Sequence, residues 1–412
     1  MNVPVLRFRD DMGQRFPEWG NSTLEEVSIN YYQGINTAAD KVEYVDGGVP
    51  IIQAKHITGE YLDFSDARSL NQSDYDKYKD KYNPKVNDLL ISNIGTLGKV
   101  VLVEFEIKFL IAWNIFKVTL NTKKCYPLFI REFLKKIASD GYFDSIKTGN
   151  ATKFINKSDM LAIEIVFPCQ KEQAKIANFL TAVDEKITNL TQKHDLLTQY
   201  KKGVMQQIFS QELRFKNDDG GDFPEWDFVE LEKIAVRVNK KNKDTSINNV
   251  LTNSAIQGIV SQSDYFERDI ANQNNLGGYY VVETDDFVYN PRISANALVG
   301  PIKRNHLTVG VMSPLYTVFR FIVGNLDFYE QYFQTNHWHD YMKSISNTGA
   351  RHDRMNITNE SFYDLPLPCP IEAEQTKIAN FLKALDDKII ATQTQLKAVK
   401  QYKQGLLQQM FV

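Results

Sequence analysis

QAKIANFLTAVDEKI at residues 173–187 and QTKIANFLKALDDKI at residues 375–389 are two copies of one segment. Extended to 173–210 against 375–412, 18 of 38 positions are identical, among them Tyr200-Lys201, Gly203, Gln206-Gln207 and Phe209 against Tyr402-Lys403, Gly405, Gln408-Gln409 and Phe411. Pro168-Cys169 precedes the first copy and Pro368-Cys369 the second, with a two-residue insertion before Glu374. Further upstream, Thr148-Gly149 and Asn156 return as Thr348-Gly349 and Asn356. Near the start of each half, Leu6-Arg7-Phe8 and Phe16-Pro17-Glu18-Trp19 return as Leu213-Arg214-Phe215 and Phe223-Pro224-Glu225-Trp226, and Leu24-Glu25 returns as Leu231-Glu232. Two copies at so long a period make a duplicated domain pair and not a solenoid of short repeats.

The segment 173–210 reads as one long helix, rich in Gln, Lys, Ala and Leu, with Gly203 its single glycine and no proline. Its apolar residues Ile176, Leu180, Val183, Ile187, Leu190, Leu197, Val204 and Ile208 step by threes and fours, the pattern of a coiled-coil seam, with His194 and Lys201 as interruptions. The copy gives Ile378, Leu382, Leu385, Ile389, Leu396, Val399, Leu406 and Met410, interrupted by Thr392 and Lys403. A helix of this length spans roughly 57 Å, long enough to act as a spacer. The competing picture, a helical hairpin inside one domain, has to accommodate the long stretch of other structure between the copies.

Between the repeated parts, residues 28–145 and 235–343 hardly resemble each other, yet their order of elements is shared. Residues 87–95, 98–105 and 109–120 predict neighbouring strands of a curved sheet, followed by a helix over 127–138. Residues 285–293, 296–302, 307–313 and 315–323 repeat the theme, followed by a helix over 327–345. The expected fold is α+β: two heads of mixed curved sheet and helix, joined by two long helices, with an internal pseudo-two-fold. Either the heads diverged to serve different specificities, or their loops drifted after duplication.

Composition narrows the function classes. The chain has 412 residues, 43% hydrophobic and 24% charged, with no apolar run long enough to span a membrane and no secretion-signal pattern at its start. Cys125, Cys169 and Cys369 stand far apart, against disulfide and zinc frameworks, so a cytoplasmic location is expected. A net charge of -3 counts against a free-standing nucleic-acid binder unless basic groups concentrate on one face or partners supply them. Residues 287–326 carry Arg292, Lys303, Arg304 and Arg320 without an acid, and 145–157 carry three lysines without an acid. Such loops hold the groups that bond phosphates and base edges. The candidates are Lys55, Asn93, Thr96, Lys99, Lys147, Thr148, Asn150, Thr152 and Lys153 in the first half. In the second they are Arg292, Asn296, Lys303, Arg304, Arg351, His352 and Arg354. A solvated turn is the competing reading of each.

The layout FPEW, Leu-Glu, strand-rich head, Thr-Gly loop, proline and then Glu-Gln-x-Lys-Ile-Ala-Asn-Phe-Leu, all occurring twice, resembles the specificity subunits of type I restriction-modification enzymes. The signature stands here as Lys171-Glu172-Gln173 through Leu180 and Glu374-Gln375 through Leu382. The resemblance covers essentially the whole chain and implies a non-catalytic targeting subunit. It divides the chain into a target recognition domain over 1–167, a conserved helix over 168–212, a second recognition domain over 213–366 and a second helix over 367–412. Each head would bind one half of a split, asymmetric duplex DNA site. The antiparallel helices would dock two modification subunits, with Ile176, Leu180, Val183, Ile187, Leu190, Ile378, Leu382, Leu385 and Ile389 as seam and docking positions. Partner subunits would bring S-adenosylmethionine for adenine methylation, and restriction subunits ATP and Mg; no cofactor or metal is expected in this chain.

Enzymatic alternatives find little support. Asn290-Pro291-Arg292-Ile293 lacks the second proline and the aromatic group of an adenine methyltransferase loop, and no phosphate-binding GxxxxGK[ST] occurs. Asp88 with Glu106-Ile107-Lys108 is a weak nuclease-like set with no counterpart in the other half. His337-Trp338-His339 lacks a third metal ligand. A coiled-coil adaptor for other proteins is the remaining alternative and predicts no basic concentration in the heads.

Overall fold

The computed structural model describes residues 4–149, 153–262, 273–346 and 353–411. The chain divides into two units, Met1–Thr191 with Thr394–Val412, and Gln192–Gln393. Each unit thus takes a piece of both long helices, Gln170–Phe209 and Glu372–Met410. Among the described residues no helix is long and apolar enough to cross a membrane.

In the first unit a four-stranded antiparallel sheet runs in the order Ser28–Gln33, Ile115–Leu120, Asp88–Ser92, Val100–Leu102. Alternate residues point to opposite faces. Leu89, Ile91, Val100, Leu102, Phe116 and Val118 enter one core with Trp19, Phe129, Phe133, Ile176 and Leu180. Leu90, Val101 and Ile115 enter another with Ile52, Phe109 and Ile111. Burial on both faces explains why these strands read as continuous apolar runs and not as alternation. The predicted strand over 109–120 is two strands, because a turn at Ala112, closed by Ile115 N donating to its carbonyl, hands Leu110–Ile111 to a second sheet. There Leu110–Ile111 lies parallel to Val49–Ile52.

The second unit repeats the inner sheet in the same order: Ala235–Arg237, Thr317–Phe321, Phe287–Tyr289, Ile302–Arg304, again antiparallel. Its outer part differs, with two-stranded pairs Leu251–Ser254/Gly258–Ser261 and Tyr280–Val282/Gly310–Met312 in place of the outer sheet. The helix expected over 327–345 is broken into Leu326–Tyr332 and His339–Ile345. At the break the Thr335 hydroxyl donates to the Tyr332 carbonyl at 2.7 Å, and Trp338 sinks into the core. A short hydroxyl side chain that bonds its own backbone competes with helix propagation.

The residues identical between the halves build one clasp twice. Arg7 donates to Glu172 at 2.7 Å and to the Pro17 carbonyl at 2.6 Å, and Arg214 donates to Glu374 at 2.9 Å and to the Pro224 carbonyl at 2.6 Å. Both glutamates are fully buried. Gln173 accepts from Tyr126 N and donates to the Pro168 carbonyl, while Gln375 accepts from Asn325 N and donates to the Pro370 carbonyl. Phe8 meets Phe179 edge-on and Phe215 meets Phe381 in the same way. The Glu-Gln pair is therefore a structural element that fastens the leading segment and the head to the start of each helix. Asn178, for which the sequence suggests no role, accepts from the Tyr126 hydroxyl at 3.1 Å.

The two lysines that interrupt the apolar seam are its cross-links. In the first unit Lys403 donates to both Asp184 oxygens at 2.6 and 2.8 Å, with Glu132 at 3.5 Å. In the second, Lys201 does the same to Asp386 at 2.7 and 2.8 Å. Within each unit the early turns of one helix meet the late turns of the other. Ile176 and Leu180 share a core with Leu406, Met410 and Phe411, and Ile378, Leu382 and Leu385 share one with Val204, Ile208 and Phe209. That pairing makes the helices antiparallel. Val183, Ile187 and Ile389 are half-buried and Leu190 is buried.

Candidate nucleic-acid interface

In each unit the loop that follows the central sheet strand is tied to the loop that carried the Thr-Gly motif. In the first, Ile155 N donates to the Asn93 carbonyl at 2.9 Å and Gly95 N to the Lys153 carbonyl at 3.0 Å. In the second, Met355 N donates to the Pro291 carbonyl at 2.9 Å and Ile293 N to the Asp353 carbonyl at 3.0 Å. The register is the same in both. These flanking bonds make Ile94–Phe154 and Arg292–Arg354 directly opposed, non-hydrogen-bonded pairs. The backbone frame is conserved and the side chains at its centre are exchanged.

Glycines close the frame. Gly98 and Gly300 have φ of +72° and +80°. A Cβ at Gly300 would lie 2.0 Å from the Asn290 carbonyl oxygen, and one at Gly98 would lie 2.3 Å from the Phe143 ring. Thr148 exchanges backbone bonds with Phe154 at 2.9 and 3.0 Å, which ties the Thr-Gly motif to the frame.

The sequence candidates separate on this frame. Thr96, Thr148 and Lys153 are exposed beside it in the first unit, with Lys99 half-buried next to them. Lys147 is half-buried and paired to Asp144 at 2.6 Å. Arg292 and Asn296 are exposed, and Arg354 is half-buried. Lys55 is exposed and ion-paired to Asp66. Asn150, Thr152, Arg351 and His352 lie outside the described residues, as do Thr348 and Gly349.

Three candidates are engaged differently from the open contact that their residue type suggests. Asn93 is buried, its amide directed to the Ile155 carbonyl at 3.4 Å, and it supports the frame from beneath. Arg304 is locked to Asp285 at 2.6 Å, Asp327 at 2.5 Å and Glu330 at 3.5 Å. Lys303 is half-buried, and burial pushes its ammonium pKa below the usual lysine value. Arg320, part of the same basic window, is held by Asp286 at 2.6 Å and Glu283 at 2.7 Å. The acid-free window 287–326 is therefore not a continuous basic face, because acids just outside it fold back onto Arg304 and Arg320.

Ile94 and Phe154 carry no polar signal in the sequence, and neither does Trp113, which is exposed on the turn whose Asn114 carbonyl accepts from Asn93 N. The signal that exposes them is the register match between the two loop pairs.

Members of the nuclease-like set are tied up in structural bonds. Asp88 is buried, accepting from Thr119 at 2.6 Å and from Lys85 N at 2.9 Å. Lys108 instead donates to Gln72 and lies over the Tyr75 ring. Among the described residues no group of three or more His, Cys, Asp or Glu gathers as a metal site.

Comparison with known proteins agrees with this duplicated build. The model of the type I restriction modification DNA specificity domain matches residues 17–199 and again 225–401. A Methanocaldococcus jannaschii chain described as the MjaX type I restriction enzyme specificity subunit is 23% identical, over 97% of this chain and 94% of that one. The MjaVIII type I restriction enzyme specificity subunit of the same organism is 24% identical over 47% of each chain. Among solved structures, the type I restriction-modification S subunit from M. genitalium superposes with a TM-score of 0.59 at 15% identity, over 100% of this chain and 99% of that one. A chain from a structure on assembly and conformational transition of a type I system gives 0.52 at 14% identity, over 96% and 98%. Matched once in each half by the family model, and built twice on one frame, this chain belongs to the type I restriction-modification DNA specificity family, as the non-catalytic subunit that directs such a complex to its DNA.

Proposed function

We propose that each head reads one half of a bipartite, asymmetric duplex site. The observation that carries this is the loop frame kept in both units while its central pair changes from Ile94–Phe154 to Arg292–Arg354. A fixed backbone with exchanged side chains suits two readers of different sequences. Thr96, Lys99, Lys147, Thr148 and Lys153 in the first head, and Arg292, Asn296 and Arg354 in the second, are the proposed contacts among the described residues. Lys55 belongs to them only if DNA displaces Asp66. Phosphate contacts position such a protein and base-edge contacts specify the sequence.

The conserved helices dock two adenine-methyltransferase subunits in this reading. Ile176, Leu180, Ile378 and Leu382 are consumed in the unit cores, so the docking anchors are better sought at Tyr200 and Tyr402. These occupy equivalent positions of the two copies and are 55% and 56% exposed. Aromatic residues of this kind are enriched at interface hot spots. The recognition domains and conserved helices are assigned as 1–167, 168–212, 213–366 and 367–412. S-adenosylmethionine, ATP and Mg belong to the methyltransferase and restriction partners, in a cytoplasmic complex.

The test is co-expression with the partner methyltransferase subunit and mapping of methylated adenines across a genome. A split, asymmetric motif that disappears without this chain is the expected result. A contiguous motif, or methylation indifferent to this chain, overturns the reading.

A further inference from the structure

We infer that Arg292 and Arg354 act together to read a guanine in the half-site met by the second head. The inference rests on the two-head reading above and adds the base chemistry that one head selects.

The two guanidiniums are placed against the interest of the fold. Directly opposed residues of a non-hydrogen-bonded pair carry their Cβ atoms roughly 4.5–5.5 Å apart, and like charges there are destabilising. One carboxylate stands near both: Asp353 Oδ2 lies 4.0 Å from Arg292 Nε and 3.7 Å from Arg354 Nε. Neither distance is a hydrogen bond. Five other arginines of the chain are paired to acids. Arg7, Arg131, Arg214, Arg304 and Arg320 each donate to a carboxylate within 3.1 Å. Among the described residues, Arg292 and Arg354 have no side-chain hydrogen bond. Among the described residues Arg354 Nε is buried without a hydrogen-bond partner, so part of its donor fork is desolvated before any ligand arrives. The site is two cations over one acid, with unused donors.

A phosphate and a guanine edge both accept such donors, and the comparison of the heads favours the base. Phosphate positioning is common to every half-site, so a clamp built into the duplicated frame would be present in both units. Ile94 and Phe154 hold the equivalent places in the first unit, and neither can bind a phosphate. A pair exchanged while its backbone bonds persist behaves as a specificity position. The arginine fork matches guanine O6 and N7 in the major groove, the commonest specific contact of this residue.

The experiment uses the full complex with its methyltransferase subunits and the variants Arg292→Ala, Arg354→Ala, both together, and both to Lys. Relative affinity is measured on duplexes substituted one base pair at a time, alongside the genomic methylation motif. The double alanine variant is expected to lose discrimination at one guanine of one half-site by roughly 10- to 100-fold, with the other half-site unchanged. The double lysine variant keeps the charge but loses the fork, and should lose the same discrimination. Its folding is expected to match the wild type in a thermal melt, which separates a lost contact from a lost fold. Equal weakening on every duplex, with a shallower salt dependence and an unchanged motif, assigns the pair to phosphate and overturns the inference. Unchanged binding in all four variants also overturns it. A wild-type complex with no split motif instead sinks the two-head reading, an outcome distinct from both.

Discussion

Lys403 donates to both carboxylate oxygens of Asp184, and Lys201 does the same to Asp386, so one cross-link is built twice from residues the same distance apart in the repeat. Lys403 is 12% exposed and also faces the buried Glu132. Burial alone would push its ammonium down, but the surrounding acids outweigh it and hold the pKa above the usual lysine value. Replacing Lys403 by Met strands Asp184 without its cation, leaves Glu132 with Arg131, and should destabilise the first unit by about 3 kcal/mol. Denaturant unfolding measures this; a loss below roughly 1 kcal/mol, the range of exposed pairs, would show that the cross-link is solvent-screened. The double change Lys403→Met with Asp184→Leu should recover part of the loss.

Leu6 N donates to the Gln409 carbonyl at 2.9 Å, and Leu213 N donates to the Gln207 carbonyl at 3.0 Å. The second contact lies within continuous chain and the first brings together segments remote in sequence, yet the local structure is the same. Joining residues 411 and 5 by a short linker and opening the chain in the exposed turn at Asp219 should therefore leave fold and target choice intact. Thermal melting and the methylation motif check it; an altered motif would mean that chain connectivity contributes to recognition.

Gly300 closes the loop that carries Arg292, with φ of +80° and the Asn290 carbonyl where a Cβ would stand. Gly300→Ala is expected to cost about 1–3 kcal/mol in strain and to weaken recognition at the second half-site. Gly220, also at positive φ but with open space around it, is the control. There the same substitution should cost less and leave DNA binding unchanged.

His56 is buried in the first head, its Nδ1 accepting from Gln53 N at 2.8 Å and its Nε2 3.0 Å from Asp66. Burial lowers its pKa below 6.5, with Asp66 opposing and Lys55 reinforcing the shift. The unfolded imidazole therefore takes up a proton at a higher pH than the folded one. Stability should be full above about pH 6.5 and fall as pH drops toward the folded value. Melting temperature followed from pH 7.5 to 5 tests this, and His56→Gln should flatten the slope over that range. A slope unchanged by the substitution would place the acid sensitivity elsewhere.

Much of this architecture is legible in the sequence because it was written twice. Arg7 and Arg214, like Glu172 and Glu374, stand out in sequence as repeated residues, although the clasp they form shows only in the folded chain, and the helix phase follows from the spacing of Ile176, Leu180 and Leu190. The charge of the heads was not legible. Arg304 and Arg320 look available in a window without acids, but sheet pairing brings Asp285 and Asp286 to them and the packing of the helix Leu326–Tyr332 brings Asp327 and Glu330, and neither is local in sequence. The equivalence of Phe154 and Arg354 was hidden for a related reason, since it is carried by backbone hydrogen bonds and leaves no identity between side chains.

Each unit is floored by a piece of helix from the other half of the chain: Leu406, Met410 and Phe411 fill the first core, as Val204, Ile208 and Phe209 fill the second. A gene cut after its first half would encode a head with an apolar gap and, at its own end, the very plug that fits such a gap. Two identical products would heal each other and carry two identical readers. On the two-head reading proposed above, such a lesion would not abolish targeting but symmetrise it, turning an asymmetric address into a palindromic one.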